Sequence, residues 1–391
     1  MRRPLCLLLC LLLLLSGCAV TPADPDVTPA EPTPPAVIPD PIPAPEPTPT
    51  PEPAPEPAPT PEPEPVPDPE PVIEYEDYTG DIPHIFIHCL IAYPEYKSGD
   101  GNMRYDVDCI NTTEFRRLLE ELYANGWCLI DIHDTFEQTG EGWRQKQMVS
   151  VPAGRTPLIF SVDDVVYDVR KRGNGMVDLL GFDENGALAA GTYQPDGAIL
   201  YNREEFVFIL EDFIAEHPDF SSHGARMTLC MTGFTGQFGY RTDIDDDNAD
   251  IRDSEIEKAR AVARELTRLG YTFASHGYGH YDATKLSQGG MEEDLRCTLE
   301  QVVPVVGPLS VYVYPYGKNL VPGDGRYQAA VDAGFVEFCS VSHFFFRRDY
   351  EDGQSLYMTR IGIDGYSLRN YGEVLAPLFD VSRVIDTENR K

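Results

Sequence analysis

The hexapeptide Ile159-Phe160-Ser161-Val162-Asp163-Asp164 joins an apolar run to two adjacent carboxylates in this 391-residue chain. Residues 157–162 have the composition of a buried strand, and the two aspartates come where that strand should end. A second apolar run, residues 271–275, leads into His276 and His280, two histidines four positions apart. One aspartate and two histidines can ligate a divalent metal, and the other aspartate is a natural general base beside it. These residues predict a metal-dependent hydrolase.

Strand-like and helix-like segments alternate on both sides of this hexapeptide. The segments with strand character are residues 85–91, 127–132, 157–162, 225–232, 271–275, 310–314 and 335–340. The segments with helical spacing are residues 111–122, 202–215, 254–269, 291–303 and 325–333. This order predicts parallel strands with helices outside them, as in a barrel or a doubly wound sheet. Residues 174–197, interrupted by Gly and Ala, are predicted to form a small hairpin insertion.

Polar residues follow three of these strands at the point where each ends. They are the Asp163-Asp164 pair, His276 and the Pro315-Tyr316-Gly317 tripeptide. Ligands of parallel α/β folds gather at the carboxyl ends of strands, so the coincidence is more informative than any one motif. Taken alone, an Asp pair is as often a cap or a turn. Four further histidines are interpreted as surface or packing residues: His84, His133, His217 and His223.

With these motifs in place, the chain resembles the polysaccharide deacetylase family, the NodB-homology carbohydrate esterases. The first motif of that family, Thr-Phe-Asp-Asp-Gly, corresponds to residues 161–165, and the second, His-Ser/Thr-x-x-His, to residues 276–280. The third, Arg-x-Pro-Tyr/Phe, corresponds to residues 313–316. The resemblance covers most of residues 82–365 and implies a distorted (β/α) barrel within a catalytic domain at residues 73–391.

The same resemblance implies roles for individual residues. Asp164, His276 and His280 would bind a divalent metal, usually zinc, and Asp163 would accept the proton of the attacking water. The backbone N–H of Tyr316 would stabilise the oxyanion, with Pro315 and Tyr316 contacting the substrate. The implied substrate is an acetylated cell-wall or extracellular polysaccharide, cut at an N-acetyl amide or an acetyl ester.

Several positions depart from the family pattern. Val165 replaces the glycine that follows the carboxylates, and Val313 replaces the arginine that orients the base. Arg360 is the predicted substitute for that arginine, with Arg241 second. The late Leu-x-His motif, whose histidine protonates the leaving group, is not visible after residue 360. The candidates for its role are His343 and Asp364, whereas His88 is expected to stand behind the site.

The first 72 residues are predicted to be a signal and a spacer that precede the catalytic domain and are not part of it. Residues 1–18 have Arg2 and Arg3 before a Leu-rich run and end in Leu-Ser-Gly-Cys, which resembles the lipobox of bacterial lipoproteins. Cys18 would then be lipidated and anchor the protein outside the cytoplasm of a bacterium; the alternative is an ordinary cleaved signal. Residues 19–72 are Pro- and Glu-rich and predict a disordered spacer.

Composition limits the partners. The chain has 31 basic and 64 acidic residues, a formal net charge of −33, which argues against electrostatic binding of nucleic acid. Its nine cysteines form no Cys-x-x-Cys pair, so a cysteine metal cluster is a poor interpretation. The six cysteines of the domain could be buried thiols or disulfides, and the sequence carries no signal of oligomeric state.

Three functions remain open on the sequence alone. The first is a lipid-anchored, metal-dependent carbohydrate deacetylase. The second is a polysaccharide-binding lipoprotein that kept the fold and the metal but lost turnover, which the missing motif arginine and the missing acid would favour. The third is hydrolysis of an amide that is not part of a sugar. Asp163 favours an enzyme, because metal binding alone needs only Asp164.

Overall fold

The computed structural model describes residues 72–94 and 105–390, which contain sixteen strands and ten α-helices. The strands are β1 (Tyr75–Tyr78), β2 (His84–His88), β3 (Trp127–Leu129), β4 (Phe136–Thr139), β5 (Gly142–Gln145), β6 (Val149–Pro152), β7 (Thr156–Asp163), β8 (Leu179–Phe182), β9 (Leu188–Tyr193), β10 (Ile199–Asn202), β11 (Thr228–Met231), β12 (Thr272–Ser275), β13 (Val311–Val313), β14 (Glu337–Val341), β15 (Arg347–Asp349) and β16 (Leu356–Gly362). The helices are α1 (Tyr105–Asp108), α2 (Thr112–Ala124), α3 (Phe206–Glu216), α4 (Arg252–Leu269), α5 (Gln288–Cys297), α6 (Val303–Val306), α7 (Gly325–Asp332), α8 (Gly365–Asn370), α9 (Gly372–Leu375) and α10 (Val381–Val384).

Seven parallel strands close into a barrel. Their order around it is β11-β12-β13-β14-β16-β2-β7, and β7 pairs in turn with β11. The long strand β7 shares one edge between two partners: its first residues pair with β3 and its last, Ser161–Asp163, with β11. Since all seven strands run the same way, their carboxyl ends meet at one mouth. Asp163, which ends β7, lies at that mouth.

Alternation along the strands separates two apolar cores. Residues that point outward from the barrel, such as Phe160 of β7, pack against the helices in the larger cluster. Residues that point inward, such as Ile159 of β7 and Met358 of β16, form a second cluster inside the barrel. This period of two is what a strand covered on both faces requires.

Helix ends follow local chemistry. The Asn111 side chain accepts a hydrogen bond from the Glu114 N–H, and the Glu114 carboxylate accepts one from the Asn111 N–H, a capping box that starts α2. Gly270 ends α4 in the left-handed region at φ 105°. The long predicted helix at residues 291–303 is observed from Gln288, and it continues through a π-turn, Thr298–Val302, into α6.

The predicted (β/α) barrel is confirmed by this topology. Two parts of the prediction need correction. The hairpin expected at residues 174–197 is a three-stranded antiparallel sheet, β8-β9-β10, that extends to Asn202. The strand β16 was not predicted, because it follows β14 with only the short antiparallel strand β15 between them and so breaks the helix-strand rhythm.

Several predictions concern residues that the structure does not describe. The signal at residues 1–18, the lipidated Cys18 and all but the last residue of the spacer at 19–72 lie outside the described ranges. The six domain cysteines are described and carry free thiols, five of them buried. Within residues 72–94 and 105–390, no helix has both the length and the apolar character needed to span a bilayer.

Candidate metal centre and active site

A cavity of about 500 Å³ opens at the mouth of the barrel. The side chains that line it come from the ends of several strands and from the loops that follow them. They are Phe86, His88, Asp108, Cys109, Asp163, Asp164, Lys171, His276, His280, Tyr314, Tyr316, Gly317, Val341 and Arg360. The fold thus brings the predicted Asp pair, both histidines of the second motif, Tyr316 and Arg360 to one cavity.

Asp164, His276 and His280 form a possible metal-binding group. One ligand atom from each residue lies within 4.8 Å of the others. His280 Nε2 is 3.7 Å from Asp164 Oδ1, close enough for one ion to contact both. Two imidazoles and one carboxylate leave coordination positions open, which is the arrangement expected of a catalytic rather than a structural site.

The orientation of both imidazoles fits a metal. His276 Nδ1 lies 2.9 Å from the carbonyl oxygen of Val313, which can only accept, so Nδ1 carries the proton and Nε2 is left with its lone pair. His280 Nδ1 lies 3.2 Å from the Tyr316 hydroxyl, leaving its Nε2 for the carboxylate side. Burial also lowers the pKa of His280, although Asp164 opposes the shift, which favours the neutral form that ligates metals.

Asp163 is held by a buried, bidentate ion pair. Arg360 Nη1 donates to Oδ1 at 2.7 Å and Nη2 donates to Oδ2 at 2.9 Å. Burial alone would raise the pKa of the Asp163 carboxyl, but the charge and hydrogen bonds of Arg360 hold that pKa below its ordinary value. Asp163 is therefore a carboxylate that stays ionised, 3.7 Å from His276 Nε2.

A second layer of polar groups positions the guanidinium from inside the barrel. Ser161 Oγ accepts a hydrogen bond from Arg360 Nη1 at 3.1 Å and lies 2.8 Å from His84 Nε2. Burial, followed by the charge of Arg360, holds the pKa of His84 well below its usual value, so this imidazole is neutral. His84 was expected at the surface or in packing, and it is fully buried in the barrel.

Three residues at the cavity adopt left-handed backbone conformations that L-amino acids avoid. They are Asp164 at φ 60°, His280 at φ 53° and Tyr316 at φ 58°. Each such residue costs about 1–3 kcal/mol and persists only where the surrounding structure imposes it. Half of the six non-glycine residues with positive φ in the described part of the chain thus lie at this cavity, which agrees with a functional site there.

The structure separates the other predicted residues from the cavity. Pro315 is buried in the turn below Tyr316 and is not among the lining residues. Arg241 pairs with Asp243 and Asp245 instead of Asp163. Asp364 caps α8 through the Ser367 N–H at 2.6 Å. The His343 ring packs on Tyr371, 4.3 Å between centroids, outside the cavity lining.

His88 lies in the wall of the cavity, whereas the sequence predicted a position behind the site. It ends β2, is paired in register with Asp163 of β7 and lines the cavity. Its Nδ1 is buried without a hydrogen-bond partner among the described residues. A buried nitrogen left unpaired is costly and calls for an explanation such as a bound group or a catalytic role. The signal in the sequence was the alternation His84, Phe86, His88, which places all three side chains on the inner face of one strand.

Neither a protein-family profile nor a curated protein matches the sequence. Solved structures do match. A Streptococcus pyogenes deacetylase in complex with acetate shares 13% identity over 77% of this chain and 99% of its own, with a TM-score of 0.40. A Bacillus cereus polysaccharide deacetylase shares 14% over 78% of this chain and 69% of its own, with a TM-score of 0.40. A de-N-acetylase from Aggregatibacter actinomycetemcomitans shares 11% over 74% of this chain and 96% of its own, with a TM-score of 0.38. Similarity at this level carries nothing about activity, which depends on the residues described above.

Proposed function

We propose that this protein is a metal-dependent hydrolase that removes acetyl groups from a polysaccharide. The observation that carries the proposal is an ionised carboxylate, Asp163, held by Arg360 beside the Asp164-His276-His280 group in one open cavity. A metal-binding protein needs only the three-residue group. A second, buried carboxylate with its own guanidinium partner is costly unless chemistry uses it.

The metal would be held by Asp164, His276 and His280, whose donor set suits zinc as well as other divalent ions. Such an ion would supply a Lewis acid that makes water more acidic and polarises the acetyl carbonyl. The chemistry of the donor atoms supports this fit, since both imidazoles keep Nε2 for a ligand.

Three residues of the chain would supply the base, the oxyanion donor and the acid of the reaction. Asp163, which is ionised before water attacks, would accept the proton of that water. The Tyr316 N–H, on the strained turn at the cavity wall, would donate to the developing oxyanion. His88 would donate the proton that the leaving amine or alcohol requires, since it lines the cavity and is in register with the base.

The positions of Arg360 and His88 support an enzyme rather than a protein that only binds polysaccharide. Val313, which occupies the motif position of the missing arginine, is buried in the barrel, while Arg360 brings a guanidinium to Asp163 from another strand. His88 offers the proton donor that the absent Leu-x-His motif left unassigned. The proposal includes zinc as the ion and, from the sequence alone, a lipid anchor at Cys18 that holds the enzyme outside the cytoplasm.

The test is acetate release from two probes, N-acetylglucosamine oligosaccharides and O-acetylated xylan, by the zinc-loaded protein. Asp163→Asn removes the base while keeping the shape, and we expect the rate to fall about 10²- to 10⁴-fold. His88→Gln should lower the rate, because it removes the proposed proton donor. Asp250→Asn, at an exposed carboxylate away from the cavity, is the matched control and should behave as the wild type.

Zinc content provides a readout that does not need activity. We expect wild type and Asp163→Asn to retain one zinc ion per chain after dialysis, and His276→Ala to lose it. Retained zinc without acetate release from either probe would contradict deacetylation and leave the polysaccharide-binding interpretation. Loss of zinc binding in the wild type would contradict the metal site itself.

A further inference from the structure

A second groove continues from the catalytic cavity along the barrel mouth. It holds about 460 Å³ and shares His280 and Tyr316 with the cavity. The other residues that line it are Tyr281, Asp282, Lys285 and Lys318. A ligand that places an acetyl group in the cavity would therefore extend its neighbouring group into this groove.

Lysines are concentrated here in a chain that has few of them. The sequence contains seven lysines: Lys97, Lys146, Lys171, Lys258, Lys285, Lys318 and Lys391. Lys285 and Lys318 line the groove, and Lys171 lines the cavity beside it. Two of the seven lysines thus line this groove in a protein with a net charge of −33, whereas Lys171 faces the aspartates of the neighbouring cavity. Beyond a screening length of about 8 Å only local charge matters to a bound group, so this site can accept an anion although the chain is acidic.

The charges of the groove do not cancel. Asp282 Oδ2 lies 3.0 Å from Lys285 Nζ and offsets one positive charge. Lys318 adds a second, and it is exposed. An ammonium group is a compact charge with three donors, which suits a carboxylate or phosphate oxygen.

Two aromatic rings complete the groove. Tyr281 is 55% exposed and Tyr316 is 65% exposed, unusual for rings of this size. Tyrosine offers a flat apolar face together with a hydroxyl, a combination suited to a ligand with apolar C–H faces and polar edges. A sugar ring has that character.

We propose that this groove binds a sugar bearing a carboxylate or a phosphate, next to the acetylated sugar in the cavity, so that the substrate is an acidic glycan. This inference rests on the proposed deacetylase function and adds the substrate class to it. The positively charged groove selects the neighbouring residue of the glycan, while Asp163 and the metal-binding group act on the acetyl group.

The experiment compares three acetylated oligosaccharides of equal length: neutral N-acetylglucosamine units, the same sugar alternating with glucuronic acid, and the neutral chain with one 6-phosphate. We expect the wild type to have a kcat/KM about three- to tenfold higher on at least one anionic substrate. The carboxylate and phosphate arms identify which anion the groove prefers. The double variant Lys285→Ser/Lys318→Ser should lose that preference, and salt should weaken it in the wild type.

Lys146→Ser is the matched control, because Lys146 lines a different cavity, with Asp134 and His223, and should leave the preference intact. Equal kcat/KM on neutral and anionic substrates, or a preference that survives the double variant, would overturn the inference. Calorimetric binding of the same oligosaccharides to the zinc-loaded protein separates this result from failure of the deacetylase proposal. A binding preference for anions that the double variant abolishes would support the groove even without acetate release, and equal binding would overturn it.

Discussion

Two buried carboxyl groups lie at opposite ends of the same barrel and have opposite protonation. Asp163 ends β7 at the mouth, and Glu337 begins β14 at the other end. Both are buried, and burial by itself raises the pKa of each. Asp163 nevertheless has a lowered pKa, whereas the pKa of Glu337 is raised from 4.5 to about 8.

The difference comes from the placement of one guanidinium. Arg360 donates two hydrogen bonds to Asp163, one to each oxygen. Arg347 lies near Glu337, but its Nη2 donates to the Thr135 carbonyl oxygen at 3.1 Å, and neither Glu337 oxygen has a hydrogen-bond partner among the described residues. The charge of Arg347, without hydrogen bonds donated to the carboxyl group, does not offset the cost of burying an ionised Glu337. Glu337 therefore keeps its proton. The barrel therefore holds a carboxylate where chemistry is proposed and a neutral acid where it is not.

Removing the guanidinium at the mouth should have the largest effect on stability. Arg360→Met keeps the volume but leaves Asp163 buried without its partner. We expect the free energy of unfolding to fall by about 3–5 kcal/mol, measured by chemical denaturation. The double variant Asp163→Asn/Arg360→Met should recover much of that loss, because the unpaired charge is gone.

Arg264→Met, at an exposed arginine of α4, is the matched control and should change stability by less than about 0.5 kcal/mol. If Arg360→Met were as stable as this control, the ion pair would not be what keeps Asp163 ionised, and the contrast between the two ends would fail.

Replacing Glu337, at the end of the barrel opposite the mouth, with glutamine should stabilise the protein by an amount that depends on pH. Between pH 4.5 and about 8 the unfolded chain has released the Glu337 proton while the folded chain still holds it. Over that window the wild type loses stability as the pH rises, by at most about 1.4 kcal/mol per pH unit from this group. Glu337→Gln has no such proton, so its advantage over the wild type should grow by about 2–4 kcal/mol across the window and level off above it.

Denaturation at pH 5, 6, 7 and 8 checks this prediction, with Glu351→Gln, at an exposed position, as the control. Arg347 and Asp349 are the charged neighbours of Glu337 and are unchanged in the variant. A difference between Glu337→Gln and wild type that stays constant with pH would show that Glu337 is ionised in the folded protein.

The smallest effect on stability is expected from removing the Ser161 hydroxyl, which accepts a hydrogen bond from the Arg360 guanidinium. Ser161→Ala removes one acceptor of Arg360 and the partner of His84 Nε2. Because the two hydrogen bonds to Asp163 remain, we expect a loss of about 1–2 kcal/mol in the free energy of unfolding. A loss as large as that of Arg360→Met would mean that Ser161, and not the carboxylate, holds the guanidinium in place.

Much of the barrel could be predicted because each of its strands is a short apolar run bounded by turns or helices. The central strand β7 and the strands β11, β12, β13 and β14 overlap the predicted segments. Strand β16 was missed for a physical reason. Its inward side chains Leu356, Met358 and Arg360 alternate as a strand requires, but no helix separates it from β14, and the prediction relied on the alternation of helices and strands.

The sequence by itself determined the metal-binding candidates. Asp164 directly follows one strand, His276 follows another, and His280 is one local turn away, so strand ends in a parallel fold were enough to group them. The sequence left two candidates for the partner of the base, Arg360 first and Arg241 second, and only the tertiary structure decided between them. Arg360 is 197 residues from Asp163, and it reaches that carboxylate because closure of the barrel sets β16 beside β2 and β2 beside β7. The order of strands around a barrel depends on how the whole sheet closes, and no local run of residues encodes it.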